Sequence, residues 1–222
     1  MPLFRREPAG WIGIADREAI TRAARRAETG HAGEIVPYIV GHAATGPEAA
    51  WMVAAVGSLA GAGAAALMAG RVSEDWPLPL WILLPPFLGA FMGWLLLWLW
   101  PALEIRLLPE STIDRRVQAR ARLAFLDEGI FKTRDRSGML LFVALRERRA
   151  LVLADEGISA RVEPAEWQAI IDRLVATIRA GKPTAGMVEA IEACGRLLER
   201  QGPPARSDDD DELSDGLRFH TD

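Results

Sequence analysis

Four acidic residues of the 222-residue chain fall where short predicted strands meet turns. Glu34 precedes Ile35–Val40, Asp135 precedes Met139–Leu145, and Asp155 with Glu156 follows Ala150–Ala154. Carboxylates gathered at strand ends can hold a hard divalent cation, calcium or magnesium, through oxygen, and such an ion can polarise a phosphoryl oxygen. Arg148 and Arg149, in the connector between the last two strands, could clamp a phosphate bidentately. Each group has a plainer reading. Asp155-Glu156-Gly157 is ordinary turn composition, and paired arginines also keep a hairpin tip wet. No glycine loop that would cradle phosphate is present, and His31, His42 and His220 lack metal-ligand spacing. Cys194, the single cysteine, stands on an apolar helical stripe and is expected in a core. These residues define a candidate cation or phosphate site, with no cofactor required by the pattern, but they do not specify a reaction.

The elements that would position them follow from periodicity. Asp16 can cap a helix reaching about Thr29, with Ile20, Ala23, Ala24 and Ala27 on its apolar face. Ile35–Val40 has strand composition, and Pro37 cannot donate to a ladder, so an edge strand or a bulge is expected. Ser111 or Thr112 can cap a second helix running to Glu128 and stopped by Gly129. Two short apolar runs around Arg146–Arg149 form a β-hairpin. Glu163-Pro164 then opens a helix with the stripe Trp167, Ile170, Ile171, Leu174, Val175 and Ile178. A last helix carries Met187, Val188, Ile191, Cys194, Leu197 and Leu198.

Between the first strand and the second helix lies the part that water cannot easily hold. Trp51–Gly70 is twenty residues without a charge, about 30 Å of helix, the thickness of a bilayer's hydrocarbon core. Leu78–Leu103 is again uncharged. Six of the eight tryptophans lie in or beside these runs, mostly near the expected interfaces. A buried helical pair in a soluble core is the alternative. Two adjacent charge-free runs favour a transmembrane hairpin, with spans at about 51–70 and 80–102. Gly57 and Gly61, and Gly89 and Gly93, place small residues on one face of each helix and predict close packing within the hairpin or in a homodimer. Pro85-Pro86 should kink or locally unwind the second span. Neither span holds an ionisable residue, which disfavours an ion path and makes the hairpin an anchor.

Arginines crowd both flanks, with Arg71 alone in the loop between the spans, so both termini are expected in the cytoplasm of a bacterial inner membrane. Arg115, Arg116, Arg120 and Arg122 could face anionic headgroups or simply solvent. The formal net charge of −4 argues against general nucleic-acid binding and leaves the lipid bilayer, and a membrane-protein partner or a second copy, as expected partners. The divisions expected are a loose arm at 1–10, a split soluble domain at 11–47 and 105–200, the hairpin at 48–104, and a disordered acidic tail at 201–222 with Asp208–Glu212 consecutive.

Several blocks of this text resemble the TPM domain. They are Thr29-Gly30-His31-Ala32-Gly33-Glu34-Ile35-Val36, Ser137–Val143, Glu147–Val152 and Ala154-Asp155-Glu156-Gly157-Ile158, with the final helix pair linked through Arg179-Ala180-Gly181. The resemblance implies an α/β fold, a small mixed sheet sandwiched by helices, here interrupted by the two-helix hairpin. It also implies a family that includes reported phosphatases and members that bind divalent cations in an acidic cleft. The chain departs from the pattern by its inserted hairpin and by the cytoplasmic side its charges favour. The expectation is a membrane-held interaction or assembly module; a metal-dependent phosphatase at the membrane surface is the alternative.

Overall fold

The computed structural model describes residues 13–29, 31–44, 48–68, 78–100, 102–202 and 216–220. The arm expected at 1–10, the loop around Arg71 and the run Asp208–Glu212 lie outside the described residues. In order, the elements are α1 (Ile14–Ala27), β1 (Glu34–Val40), α2 (Glu48–Met68), α3 (Leu78–Leu99), α4 (Ala102–Leu107) and α5 (Glu110–Asp127). They continue with β2 (Gly138–Ala144), β3 (Arg149–Ala154), α6 (Glu156–Ser159), α7 (Pro164–Arg179), α8 (Pro183–Gln201) and β4 (Arg218–His220). Two compact units result: residues 1–43 with 114–222, and residues 44–113.

The first unit is built on a mixed four-stranded sheet in the order β3-β2-β1-β4. β1 and β2 run parallel over seven matched pairs, from Glu34 opposite Gly138 to Val40 opposite Ala144. β2 and β3 form the expected antiparallel hairpin. One sheet face presents Ile35, Ile39, Met139, Leu141 and Val143 to Ile20 and Ala24 of α1, Leu174 and Ile178 of α7, and Met187, Ile191 and Leu198 of α8. Gly195 lets α8 meet α1, because a methyl there would strike the Ala27 backbone. Cys194 is fully buried in this core, and burial pushes its thiol up to about 12. On the other face α5 buries Val117, Ala121 and Ala124. Its two ends are pinned to the outer strands, Asp114 to Arg149 of β3 at 2.8 Å and Glu128 to Arg218 of β4 at 2.7 Å.

Three expectations change. The α1 cap is Gly13, and Asp16 lies one turn inside, where its carboxylate accepts the Gly13 N–H at 2.7 Å. α5 starts at Glu110 after Pro109, whose carbonyl accepts from Thr112 and Ile113, so Ser111 and Thr112 sit within the first turn. The tail expected to be disordered contributes β4, which pairs parallel with Tyr38–Val40. Its sequence explains the docking: Phe219 packs on the core beneath the Arg17 guanidinium, and His220 stacks on Tyr38, which stacks on Phe142. β1 is therefore an edge only along its first half. Pro37 fits there because the N–H groups of Ile35 and Gly41 point away from β2, to Glu28 Oε1 and to the His220 carbonyl. The donor that Pro37 lacks belongs to that same row, before β4 begins.

The second unit is the helical pair α2 and α3 with α4. α3 runs unbroken through Pro85 and Pro86 rather than unwinding. Both α2 and Ile82–Leu99 are long and apolar enough to cross a membrane, and only 6% of each apolar window is buried.

The Arg218–Glu128 pair is about four-fifths shielded on both sides. Changing Glu128→Gln takes the carboxylate from that guanidinium, which keeps the Gly216 carbonyl, and should cost about 1–3 kcal/mol in denaturant unfolding, with part of the loss recovered in the double change with Arg218→Gln.

Candidate functional site

The parallel register of β1 and β2 collects the charged candidates at two ends of the sheet. At the end where β1 and β2 begin stand Glu34, Asp135, Asp155 and Glu156. Arg148 and Arg149 occupy the turn at the opposite end, one seven-residue strand away, about 20 Å. An acidic cation site and an arginine phosphate clamp are thus not assembled into one pocket.

The acidic end is built around a loop. Gly129, left-handed at φ 66°, releases the chain from α5 into a 3₁₀ turn, Ile130–Lys132. The buried Thr133 hydroxyl accepts the N–H groups of Ser137 and Gly138 at 3.0 and 3.1 Å and fixes the start of β2. Asp155 is buried and caps α6, accepting from Glu156 N at 2.7 Å. Its other oxygen lies 2.9 Å from Arg136 Nε. Arg136 holds a left-handed conformation at φ 54°, and its carbonyl accepts from Gly157 N at 3.0 Å. Gly157 is required here, since a side chain would collide with the Asp135 and Arg136 carbonyls. Asp155 is therefore a cap and an ion-pair partner that locks two loops together. Among the described residues, no three His, Cys, Asp or Glu side chains converge closely enough to hold a metal ion. Asp135 and Glu34 share this end with Asp155 and make contacts of their own.

His31 lies buried just before β1, its Nδ1 accepting the Gly33 N–H at 3.1 Å, which assigns the proton to Nε2. Burial lowers its pKa against smaller opposing hydrogen bonds, the first to the Ala27 carbonyl.

The opposite end carries contacts that the sequence alone did not suggest. Glu147 is buried, and its Oε1 accepts the Ala43 N–H at 3.0 Å. Arg149 Nε donates to Asp114 Oδ1 at 2.8 Å. Ala43 is where the chain leaves the first unit and Asp114 where it returns. The β2–β3 turn, residues 145–148, and the residue after it thereby grip both stems of the insertion. Leu145 N and Arg146 N add bonds to the Val40 and Gly41 carbonyls, each at 3.1 Å. Arg148 is exposed, with φ 53°. A left-handed arginine and a buried glutamate in a turn leave no periodic trace in a sequence, so only coordinates could find them.

Cys194 and Arg200 also stand at the Cys-x5-Arg spacing of one phosphatase class, a match that sequence reasoning passed over. Both lie within α8, and a buried thiol titrating near 12 offers no thiolate at neutral pH. In the hairpin, Gly57 faces the Gly89 carbonyl, Gly61 the Pro85 carbonyl and Gly93 the Val53 carbonyl, each too close for a side chain.

A strand, an inserted helical pair, a crossover helix, a β-hairpin and two covering helices make a recognisable order. Residues 103–197 match the TPM domain. The chain is also similar to the BA42 protein of the psychrophilic bacterium Bizionia argentinensis, solved by NMR, with a TM-score of 0.56 and 18% identity over 94% of each chain. That likeness extends the fold, and the fold alone, beyond the TPM match. No curated protein matches the chain.

Asp155→Ala should remove the α6 cap and leave Arg136 without its carboxylate, a loss of about 1–2 kcal/mol in thermal or denaturant unfolding. Asp155→Asn keeps an acceptor and should lose less. A melting temperature of the parent that rises with magnesium or calcium, and no longer does so in Asp155→Ala, would instead mark a cation site.

Proposed function

We propose that this is an integral membrane protein in which α2 and α3 form a transmembrane hairpin holding the TPM-type α/β unit at the cytoplasmic face of a bacterial inner membrane. There the unit works as an interaction or assembly module. The observation that carries the reading is the surface of the hairpin. Leu59, Leu67, Phe87 and Met92 are all more than half exposed, on helices that carry no charge from Ala49 to Met68 or from Leu78 to Leu99. Water would not tolerate such a pair, whereas lipid solvates it. Its glycines supply the close backbone approach that replaces hydrophobic drive inside a bilayer.

The orientation rests on charge, with arginines before α2 and after α3 and Arg71 between. The assembly role is favoured over metal-dependent phosphatase chemistry by what the candidate residues are occupied with. Asp155 caps a helix and pairs with Arg136, Arg149 pairs with Asp114, and the acidic and arginine groups lie a strand length apart. Partners of the module are then membrane proteins or a second copy, recruited at the bilayer surface.

The protein should stay with membranes through alkaline carbonate extraction, and its release would overturn the anchor. Gly57→Leu should wedge the helices apart and destabilise the detergent-solubilised protein by about 1–3 kcal/mol. Gly63→Leu, at a position open to its surroundings, should leave the melting temperature unchanged.

A further inference from the structure

Within the sheet, β4 pairs with β1 alone, along Tyr38–Val40. We propose that this half of the β1 edge is a strand-addition groove, and that the C-terminal strand of one copy fills the groove of a second, joining α/β units by exchange of β4. The inference rests on the assembly reading above and deepens it, naming the surface and taking the partner to be another copy of this chain.

Three observations converge. The first is recognition of four consecutive residues. Leu217 N donates to Thr21 Oγ1 at 3.5 Å, and Arg218 pairs with Glu128 at 2.7 Å. Phe219 packs on the core with the Arg17 guanidinium 4.8 Å from its ring centre. His220 stacks on Tyr38 with ring centres 5.0 Å apart, and its carbonyl accepts the Gly41 N–H at 2.9 Å. Main-chain pairing, with alternate side chains read on the two faces, is how a sheet edge binds an extended peptide.

The second is that the groove is built by elements with other reasons to be in place. α1 is held by the burial of Ile20, Ala23 and Ala24, which positions Arg17 and Thr21. Pairing with β2 fixes Tyr38–Val40. Glu128 follows α5, whose Val117, Ala121 and Ala124 are buried. The strand itself is three residues long and lies beyond residues 103–197, which carry the family match. β4 is thus an added peptide on a finished site.

The third is reach. Residues 203–215 separate the end of α8 at Gly202 from Gly216. Such a link spans at most about 50 Å fully extended. That is more than three times the radius of gyration, about 15 Å, expected for a unit of about 150 residues. Its length therefore permits β4 to enter a neighbouring unit. Closed and exchanged forms make the same bonds, so exchange costs little. Each copy carries both groove and ligand, and reciprocal exchange closes as a dimer.

The test co-expresses two differently tagged full-length chains in one membrane, solubilises them in mild detergent and measures how much of one copurifies with the other. Glu128→Arg and Arg218→Glu each set like charges together within a chain and between identical chains. Only a mixed pair of the two variants restores opposite charges, and it does so in both grooves by exchange. The mixed pair should copurify roughly 10-fold or more above either variant with itself, the effect of one shielded ion pair. Parent chains should copurify too, and Phe219→Ala, which adds no charge, should lower that yield. This last variant carries the test if the charge changes abolish slow hydrogen exchange in β2, the sign of a lost fold. Copurification equal in the mixed and self pairs, or unchanged by Phe219→Ala, would overturn the exchange but leave assembly through another surface. No copurification of parent chains would overturn it as a property of the natural protein and leave the assembly reading to a different membrane protein.

Discussion

The constraint on which the structure depends is the parallel pairing of β1 with β2. Antiparallel neighbours can be joined by a tight turn, but parallel neighbours need a connection that carries the chain back to the starting end of the sheet. Here 97 residues separate Val40 from Gly138, and only α5 is needed to make the return. Its eighteen residues span about 27 Å, enough to cross a seven-residue strand. Everything from Ala44 to Ile113 is an excursion at the start of that crossover. A two-span excursion brings the chain back to the side it left, so the α/β unit can accept a membrane hairpin without exchanging a strand pair. The clamp of Glu147 on Ala43 and Arg149 on Asp114 closes the base of that excursion.

The same pairing sorts the charged residues. The loops that begin β1 and β2 bring Glu34, Asp135 and Asp155 to one end, and the β2–β3 turn takes Arg146, Arg148 and Arg149 to the other. Arg136 answers the acidic end from within its own loop, and the buried Asp155 serves the fold first. At the other end Glu147 accepts the Ala43 N–H and Arg149 pairs with Asp114, securing both stems of the insertion. One end thus locks loops, and the other holds the residues at which the chain leaves and re-enters the unit.

Much of this was legible in the sequence because it rests on periodicity and composition. The stripes of Trp167–Ile178 and Met187–Leu198 repeat with the helical period, while the β-hairpin strands and the two spans stand out as continuous apolar runs, and α7, α8, β2, β3, α2 and α3 follow. Glu163-Pro164 and Gly129 marked a helix start and a helix end correctly. What escaped depended on distant partners. β4 is a three-residue strand that begins six residues after the acidic run, and its identity as a strand comes from Tyr38, Glu128 and Arg17, which lie far away in the chain. Arg136 became Asp155's partner through a left-handed backbone that no local pattern announces. The Asp155-Glu156-Gly157 turn was visible, and in the structure Asp155 caps α6 there.

The account's central claim is a hairpin that leaves from and returns to a cytoplasmic α/β unit. The most direct test places reporters in the chain, alkaline phosphatase after residue 75 and a fluorescent protein at the C-terminus, expressed in a bacterial host. The account predicts an active phosphatase, hence an external loop, together with a fluorescent C-terminus in the cytoplasm. An external C-terminus or an internal loop would contradict it.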